Sequence, residues 1–371
     1  MRYLTGVIAA AAAVAALSGP VKAKELVYGS WLSPKHSVMR LSLPGYFAAI
    51  KKETNGAIAW KIVAGGQLVD GKGTLPAIRD GLIDGGFQIA PYVPRDLPAT
   101  NMIFSTTVAG ENVLAASAAM METVLLHCPQ CIAEYKKNHA VALAGYATTP
   151  YMLMCRQPVK TVADLKGLKV RASGGGVYIM RDAGATPVAM SPAGATTALE
   201  RGALDCVHGS ASWLRSFGYQ DVAKYLLEYP LGMGGPAMHV FIGRKAWNGM
   251  TRAQKQAHID NAARAVATAT ILGYMEQDEK VIAAAKKNGL KTFPGGADFK
   301  ALMDRRLKEQ RALNLATARK SHVKNAGAIL DAFDASLKKW DGLVKGVGHD
   351  VDKYTALMQR EIYSKVNPDK I

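Results

Sequence analysis

Beyond its first two dozen residues the chain has no apolar run that could cross a bilayer. Crossing takes about 20 apolar residues, and the apolar stretches at 82–89 and 240–242 are far shorter. Acidic residues are few, 29 against 46 Lys and Arg, which leaves a formal charge of +17. The excess is spread along the chain rather than stacked in a tract, apart from pairs such as Lys136-Lys137 and Lys286-Lys287. Spread charge describes a solvated surface that also concentrates anions, and it argues against nucleic acid as a partner. Cysteine is limited to four residues, and no second pair accompanies Cys128-Pro129-Gln130-Cys131 that could complete a zinc site with His127. His-Glu-x-x-His and Gly-x-Ser-x-Gly are both missing, so a zinc hydrolase and a nucleophile-elbow hydrolase lack their motifs. No Gly-Lys-Ser/Thr closes a phosphate loop and no dinucleotide glycine fingerprint occurs. Internal repeats and disordered linkers are absent as well.

What is present begins at the N-terminus. Arg2 precedes an Ala-rich apolar run over residues 4–17, broken by Ser18-Gly19-Pro20 and ended by Val21-Lys22-Ala23. This three-part pattern predicts a secretory signal over 1–23 and export of the chain. An uncleaved anchor is the competing reading, and the run is short for it. Removing Arg2 and Lys22 leaves +15. An even cysteine count in an exported chain allows disulfides. Cys128 and Cys131 are expected to form a local bridge, because the redox setting of a feeding strand is missing and Ile132 stands where a haem motif needs His. Cys155 and Cys206 can be buried thiols or a second bridge, and the sequence leaves both open.

Periodicity gives two α/β units. Residues 26–28, 58–63 and 86–89 read as strands, separated by a helix from about Ser37 with Met39, Leu43, Phe47 and Ile50 on one face and by a short helix over 75–82. This β-α-β-α-β order predicts a parallel sheet with covering helices. A second set follows, with extended segments at 142–146, 151–156, 168–171, 187–190 and 204–207. Thr161-Val162-Ala163-Asp164 is a capping box, a helix is expected over 177–183, and Ser191-Pro192 starts another that closes at Gly202. The last third is helical, with a second capping box at Thr251 and Gln254 and amphipathic stretches at 299–320 and 326–343. Two such units imply two lobes, and ligands of open α/β sheets sit beyond the carboxyl ends of the strands.

The most informative stretch is Val170-Arg171-Ala172-Ser173-Gly174-Gly175-Gly176. A strand ends at Arg171, three glycines follow, and a helix begins. Glycines there let backbone approach a ligand, a helix N-terminus offers free N–H groups, and Arg presents a rigid fork of donors to a carboxylate. The competing reading is an Arg in a structural ion pair beside a flexible loop.

Several separated blocks resemble the solute receptors of tripartite ATP-independent periplasmic (TRAP) transporters. They are Asp164-Leu165-Lys166-Gly167-Leu168-Lys169-Val170-Arg171, Gly184-Ala185-Thr186-Pro187-Val188-Ala189-Met190, and Thr197-Ala198-Leu199-Glu200-Arg201-Gly202-Ala203-Leu204-Asp205. Upstream, Gly65-Gly66-Gln67-Leu68 and Ile78-Arg79-Asp80-Gly81-Leu82-Ile83-Asp84-Gly85 also fit, so the similarity runs in order from Lys24 to about Lys291. The resemblance implies an α/β periplasmic-binding fold of two lobes joined by crossing strands and a long helix. It assigns 24–148 with about 237–276 to lobe I, and 149–236 with about 277–371 to lobe II and the C-terminal helices. It further implies a receptor rather than an enzyme, without metal or cofactor, that binds a small organic acid for TRAP membrane subunits. A receptor serving a sensor kinase or another transporter class shares these features, and an exported hydrolase using Ser210 and His208 is the least supported alternative.

The family's carboxylate-binding Arg falls on Arg171. Other positions depart from the pattern: Tyr151 stands in place of a second Arg, Gly209 in place of an Asn, and Pro192 in place of an aromatic. The expected pocket has Tyr151, Trp213 and Met233 as apolar or aromatic surface, His208 and Ser210 as polar contacts, and Trp31, Gln67 and Tyr92 from the first lobe. Trp213, Met233 and His208 each have a core role as the plainer alternative. These replacements predict a monocarboxylate with an apolar, keto or aromatic part.

Overall fold

The computed structural model describes residues 24–371, so the expected signal segment lies outside the described residues. Two sheets form two lobes. In the first, β2 (Ile58–Val63), β1 (Lys24–Gly29), β3 (Gly85–Gln88), β10 (Ala237–Gly243) and β4 (Ala140–Tyr146) lie side by side in that order. In the second the order is β11 (Lys291–Phe293), β9 (Tyr225–Leu227), β5 (Met152–Cys155), β8 (Cys206–Gly209), β6 (Lys169–Arg171) and β7 (Thr186–Val188).

The three strands expected to lie parallel do so, β1 pairing with β2 and β3, while one further strand in each sheet runs against its neighbours. β10 runs antiparallel to β3 and β4, and β5 runs antiparallel to β8 and β9. The cause is the crossing between lobes. β4 ends at the cleft, so β5 must start there and run away from it. β9 ends at the cleft and hands the chain back to β10 in the same way. The two crossing segments pair with each other, Thr148 and Tyr151 donating N–H to the carbonyls of Gly234 and Gly232.

Local signals place the helices. Pro44 sits in the first turn of the helix Leu43–Glu53, where no backbone donor is needed, and a wide π-type turn, Val38–Ser42, leads into it. The capping boxes at Thr161 and Thr251 both form. The helix Val113–Glu122 escaped the periodicity reading because all ten of its residues are buried, which leaves no amphipathic stripe. Both disulfides form, Cys128 to Cys131 and Cys155 to Cys206, the second tying β5 to β8.

The C-terminal helices, expected with the second lobe, pack mainly on the first. The helix Ala326–Leu343 lies on Val113–Glu122, where Trp340 and Lys339 donate to the Glu122 carboxylate. Tyr354 and Tyr363 donate to the carbonyls of Leu114 and Leu143. Apolar surface on the buried Ala-rich helix is what they cover. Between them and the second lobe lies the helix Ala297–Lys320. Its start packs Phe299, Leu302 and Met303 into the second lobe's core. Further along, Gln310 accepts from the N–H of Thr107 at 2.9 Å and donates to its carbonyl at 3.0 Å, while Asn314 donates to Thr106.

A third connection between the lobes is helical. It comprises Ala262–Thr270, a π-type turn Ile271–Met275, and Glu276–Lys287. Just after the π turn, the buried Asp278 accepts from Thr149 of the crossing segment and from the N–H of Ser212 at 2.6 Å. One carboxyl group thus ties a crossing strand, the second lobe and the spanning helix together. Burial pushes its pKa from 3.8 up to about 6, against the opposing pull of the Thr149 and Ser212 hydrogen bonds. A raised folded-state pKa favours folding fully below the unfolded value, and that contribution is lost as pH rises through about 6. Asp278→Asn keeps an acceptor for Ser212 and loses the titration. Unfolding free energies measured between about pH 4 and about pH 7 should therefore shift in favour of the variant, relative to wild type, as pH rises; a constant difference would contradict this role.

Candidate ligand-binding site

Four strands deliver side chains to the cleft at their carboxyl ends. Trp31 follows β1, Phe87 lies in β3 with Tyr92 just beyond it, Tyr146 ends β4, and Arg171 ends β6. With Tyr151, Trp213 and Phe217 from the second lobe and Tyr274 from the spanning helix's π turn, they line one space between the lobes. The walls are a connected aromatic lattice. Trp31 meets Phe87 edge-on at 5.2 Å and Tyr92 at 5.5 Å, and Tyr151 meets Trp213 at 5.3 Å. Trp31 donates its indole N–H to the Phe87 carbonyl, which fixes that wall. The lobes are closed over the space: Trp31, Tyr151 and Trp213 are each 5% exposed.

Arg171 is 1% exposed. Its Nε donates to the Met190 carbonyl at 2.9 Å, one terminal nitrogen to the His208 carbonyl at 3.2 Å, and the other to the Tyr92 hydroxyl at 3.3 Å. The last bond crosses the cleft from one lobe to the other. Trp213 lays its ring 5.3 Å from the guanidinium carbon. All of these partners are neutral, and no carboxylate pairs with Arg171 among the described residues. Three of its five N–H donors are used, which leaves two. A guanidinium stays charged in a protein, and a buried charge without a counter-charge is costly. Burial raises the Tyr92 and Tyr151 phenols above their ordinary pKa while the Arg171 charge pulls both back, so both are neutral donors.

The glycine run has another use than the one expected from the sequence. A side chain at Gly174 would strike the Phe104 ring at 2.7 Å, one at Gly175 would collide with Thr107 Oγ1, and one at Gly176 would collide with His208 Nδ1. These glycines seat the helix Gly175–Asp182 against the first lobe and His208 rather than against the ligand. Gly174 also carries φ +53°, which favours glycine. Gly209, in the expected Asn position, lies under Trp213, whose ring occupies the space any Cβ there would need.

The other expected residues fall into three places. Trp31, Tyr92, Tyr151, Arg171 and Trp213 line the cavity together. His208 and Met233 line a small space beside it, and His208, 1% exposed, is held neutral because burial lowers its pKa to about 3. The Ser210 hydroxyl is buried without a hydrogen bond and the residue does not line the cavity, and Gln67 is exposed on the loop after β2. Sequence reasoning missed His36, Tyr146, Tyr274 and Phe217. Tyr146 was within reach, since it ends a strand that was read correctly. Tyr274 was not, because nothing in the sequence announced a π turn. Gly176→Ala should destabilise the fold by about 1–3 kcal/mol through the clash with His208, read as a lower urea midpoint; an unchanged midpoint would show that the helix seat has slack.

The profile of the bacterial extracellular solute-binding proteins, family 7 (DctP), matches residues 32–311. The chain belongs to this family. A monocarboxylate 2-oxoacid-binding periplasmic protein of Nostoc sp. is 27% identical over 206 residues, and the match spans only 54% of each chain, about half the length of that curated relative. Among solved structures, a TRAP periplasmic solute-binding protein of Bordetella bronchiseptica with bound (R)- and (S)-mandelate aligns with TM-score 0.74 at 23% identity, covering 85% of this chain and 99% of that one. A TRAP solute-binding protein of Rhodoferax ferrireducens with copurified benzoate aligns with TM-score 0.75 at 19% identity, covering 86% and 99%. At these identities the structural likeness establishes the two-lobed fold.

Proposed function

We propose that this chain is a periplasmic receptor that captures an organic monocarboxylate between its lobes and hands it to the membrane subunits of a TRAP transporter. The observation that carries this reading is Arg171, fully buried, charged, oriented by three neutral partners and left with two free N–H donors facing an aromatic cavity. A bidentate carboxylate completes that geometry and supplies the missing charge. Among the described residues no second Arg or Lys lines the cavity, which favours one carboxylate over two. The aromatic lattice suits an apolar or aromatic body, as in the mandelate and benzoate of the similar structures. The secretory pattern over 1–23 and the family's extracytoplasmic character support the periplasm.

A thermal-shift screen of organic acids identifies binders, since a ligand selective for the native state raises the melting temperature. For any acid so found, Arg171→Ala should weaken binding by about 2–5 kcal/mol in calorimetry, the cost of losing one partner of a buried charged hydrogen bond. Unchanged affinity in a folded variant would remove the assignment.

A further inference from the structure

A groove on the flank of the first lobe shares no residue with the cleft cavity. It runs between the helices Pro98–Ser105 and Pro129–Lys137 on one side and the turn joining Ala297–Lys320 to Ala326–Leu343 on the other. Its space is about 870 Å³, within the range that takes a ligand of several residues. The two sides are tied together: the Lys324 N–H donates to Gln130 Oε1 at 2.7 Å, and Gln130 Nε2 donates to Glu134 at 3.1 Å. Pro98, Pro129, Ala133, Ala328 and Ile329 give the groove an apolar floor. Arg95, Lys137 and Lys324 line it as exposed cations, and His127 and His322 complete the rim. None of the three cations pairs with a carboxylate among the described residues. Of the two acids present, Asp96 is exposed and Glu134 is committed inward. Glu134 is buried and accepts the N–H groups of Ala99 and Thr100 at 2.9 and 3.4 Å, at the start of the helix Pro98–Ser105. Burial also raises its pKa from 4.5 to about 7, so part of its charge is gone at neutral pH. The helix Ala326–Leu343 begins in the groove without a side-chain cap, which adds partial positive charge.

The geometry points to a docking groove for an acidic, amphipathic segment of a partner protein, its apolar side chains on the proline and alanine floor and its carboxylates on Arg95, Lys137 and Lys324. The two halves of the surface ask for both properties at once. Exposed cations hold a single small anion weakly, because water and salt screen each pair. Several carboxylates in register steer a partner in and fix its orientation, while the floor supplies the burial that keeps it there. A helix that lays one apolar face into a groove and keeps its charges on the rim meets these terms. A bilayer surface would reach the cations and leave the recessed floor uncovered. The proposal does not depend on the carboxylate reading of the cleft, since no residue is common to the two sites.

Fluorescence anisotropy on the full mature chain tests this with a short labelled peptide of Glu and Leu at helical spacing. Glu–Ser and Lys–Leu peptides of equal length serve as controls. The Glu–Leu peptide should bind most tightly, the Glu–Ser peptide more weakly, and the Lys–Leu peptide not at all. Combining Arg95→Glu, Lys137→Glu and Lys324→Glu should weaken Glu–Leu binding on the order of tenfold. Ala328→Trp, which fills the groove without changing charge, should weaken it as well. Lys61→Glu, Lys166→Glu and Lys287→Glu together make the same change in net charge at exposed positions outside the groove, and should alter affinity by no more than about threefold. Cooperative melts confirm that each variant is folded. Absence of Glu–Leu binding, equal losses in the two charge-reversed variants, or full binding in Ala328→Trp would each overturn the proposal. So would wild-type binding to phosphatidylglycerol vesicles but not to the peptide, lost in the groove variant, which would assign the cations to a membrane surface instead.

Discussion

An uncompensated cation under the closed lobes is the constraint around which the structure is arranged. Arg171 is held by carbonyls from the ends of β7 and β8 and by a phenol from the opposite lobe. Such partners fix direction, but they leave the net charge in place. With the lobes apart, water solvates that charge. With them closed, an anion must replace the water or closure carries the full desolvation cost. Capture and closure are thereby coupled, and the Arg171–Tyr92 bond joins the two lobes across the cleft. The same logic explains the aromatic walls, which exclude water from the charge they surround and offer a polarisable face through Trp213.

The spanning helix joins hinge to wall. Its π turn presents Tyr274 to the cavity, and Asp278, a few residues later, binds the crossing segment and the second lobe. A widened turn changes which face of a helix looks inward, and such turns recur at functional sites. Here the residue that touches the ligand space and the residue that holds the hinge lie on one rigid element, so a displacement of either reaches the other.

Much of the fold was legible in the sequence because it rests on local rules. Strand ends at glycines, capping boxes at Thr161 and Thr251, and Pro44 in a first turn each have a short-range cause. Arg171 was legible for the same reason, at a strand end before a helix. What failed depended on distant partners. Gly174 to Gly176 look alike whether they cradle a ligand or admit Phe104, Thr107 and His208, and only the packing decides. Gln67 carries a family-like motif yet stays on the surface. The antiparallel strands followed from chain crossings that periodicity cannot see, and the C-terminal helices chose the lobe with uncovered apolar surface.

The helix Ala297–Lys320 roots itself in one lobe and grips the Thr107 backbone through Gln310 and the Thr106 hydroxyl through Asn314, beside the other. Hinge rotation that opens the cleft must slide or release this grip. The helix therefore acts as a latch in time as well as in space. It lengthens the residence of a captured solute without adding a contact to it, since affinity differences are expressed mostly in escape rates. Opening the cleft then costs bonds that the solute never touches, so part of what holds a cargo in place lies in the receptor's own frame.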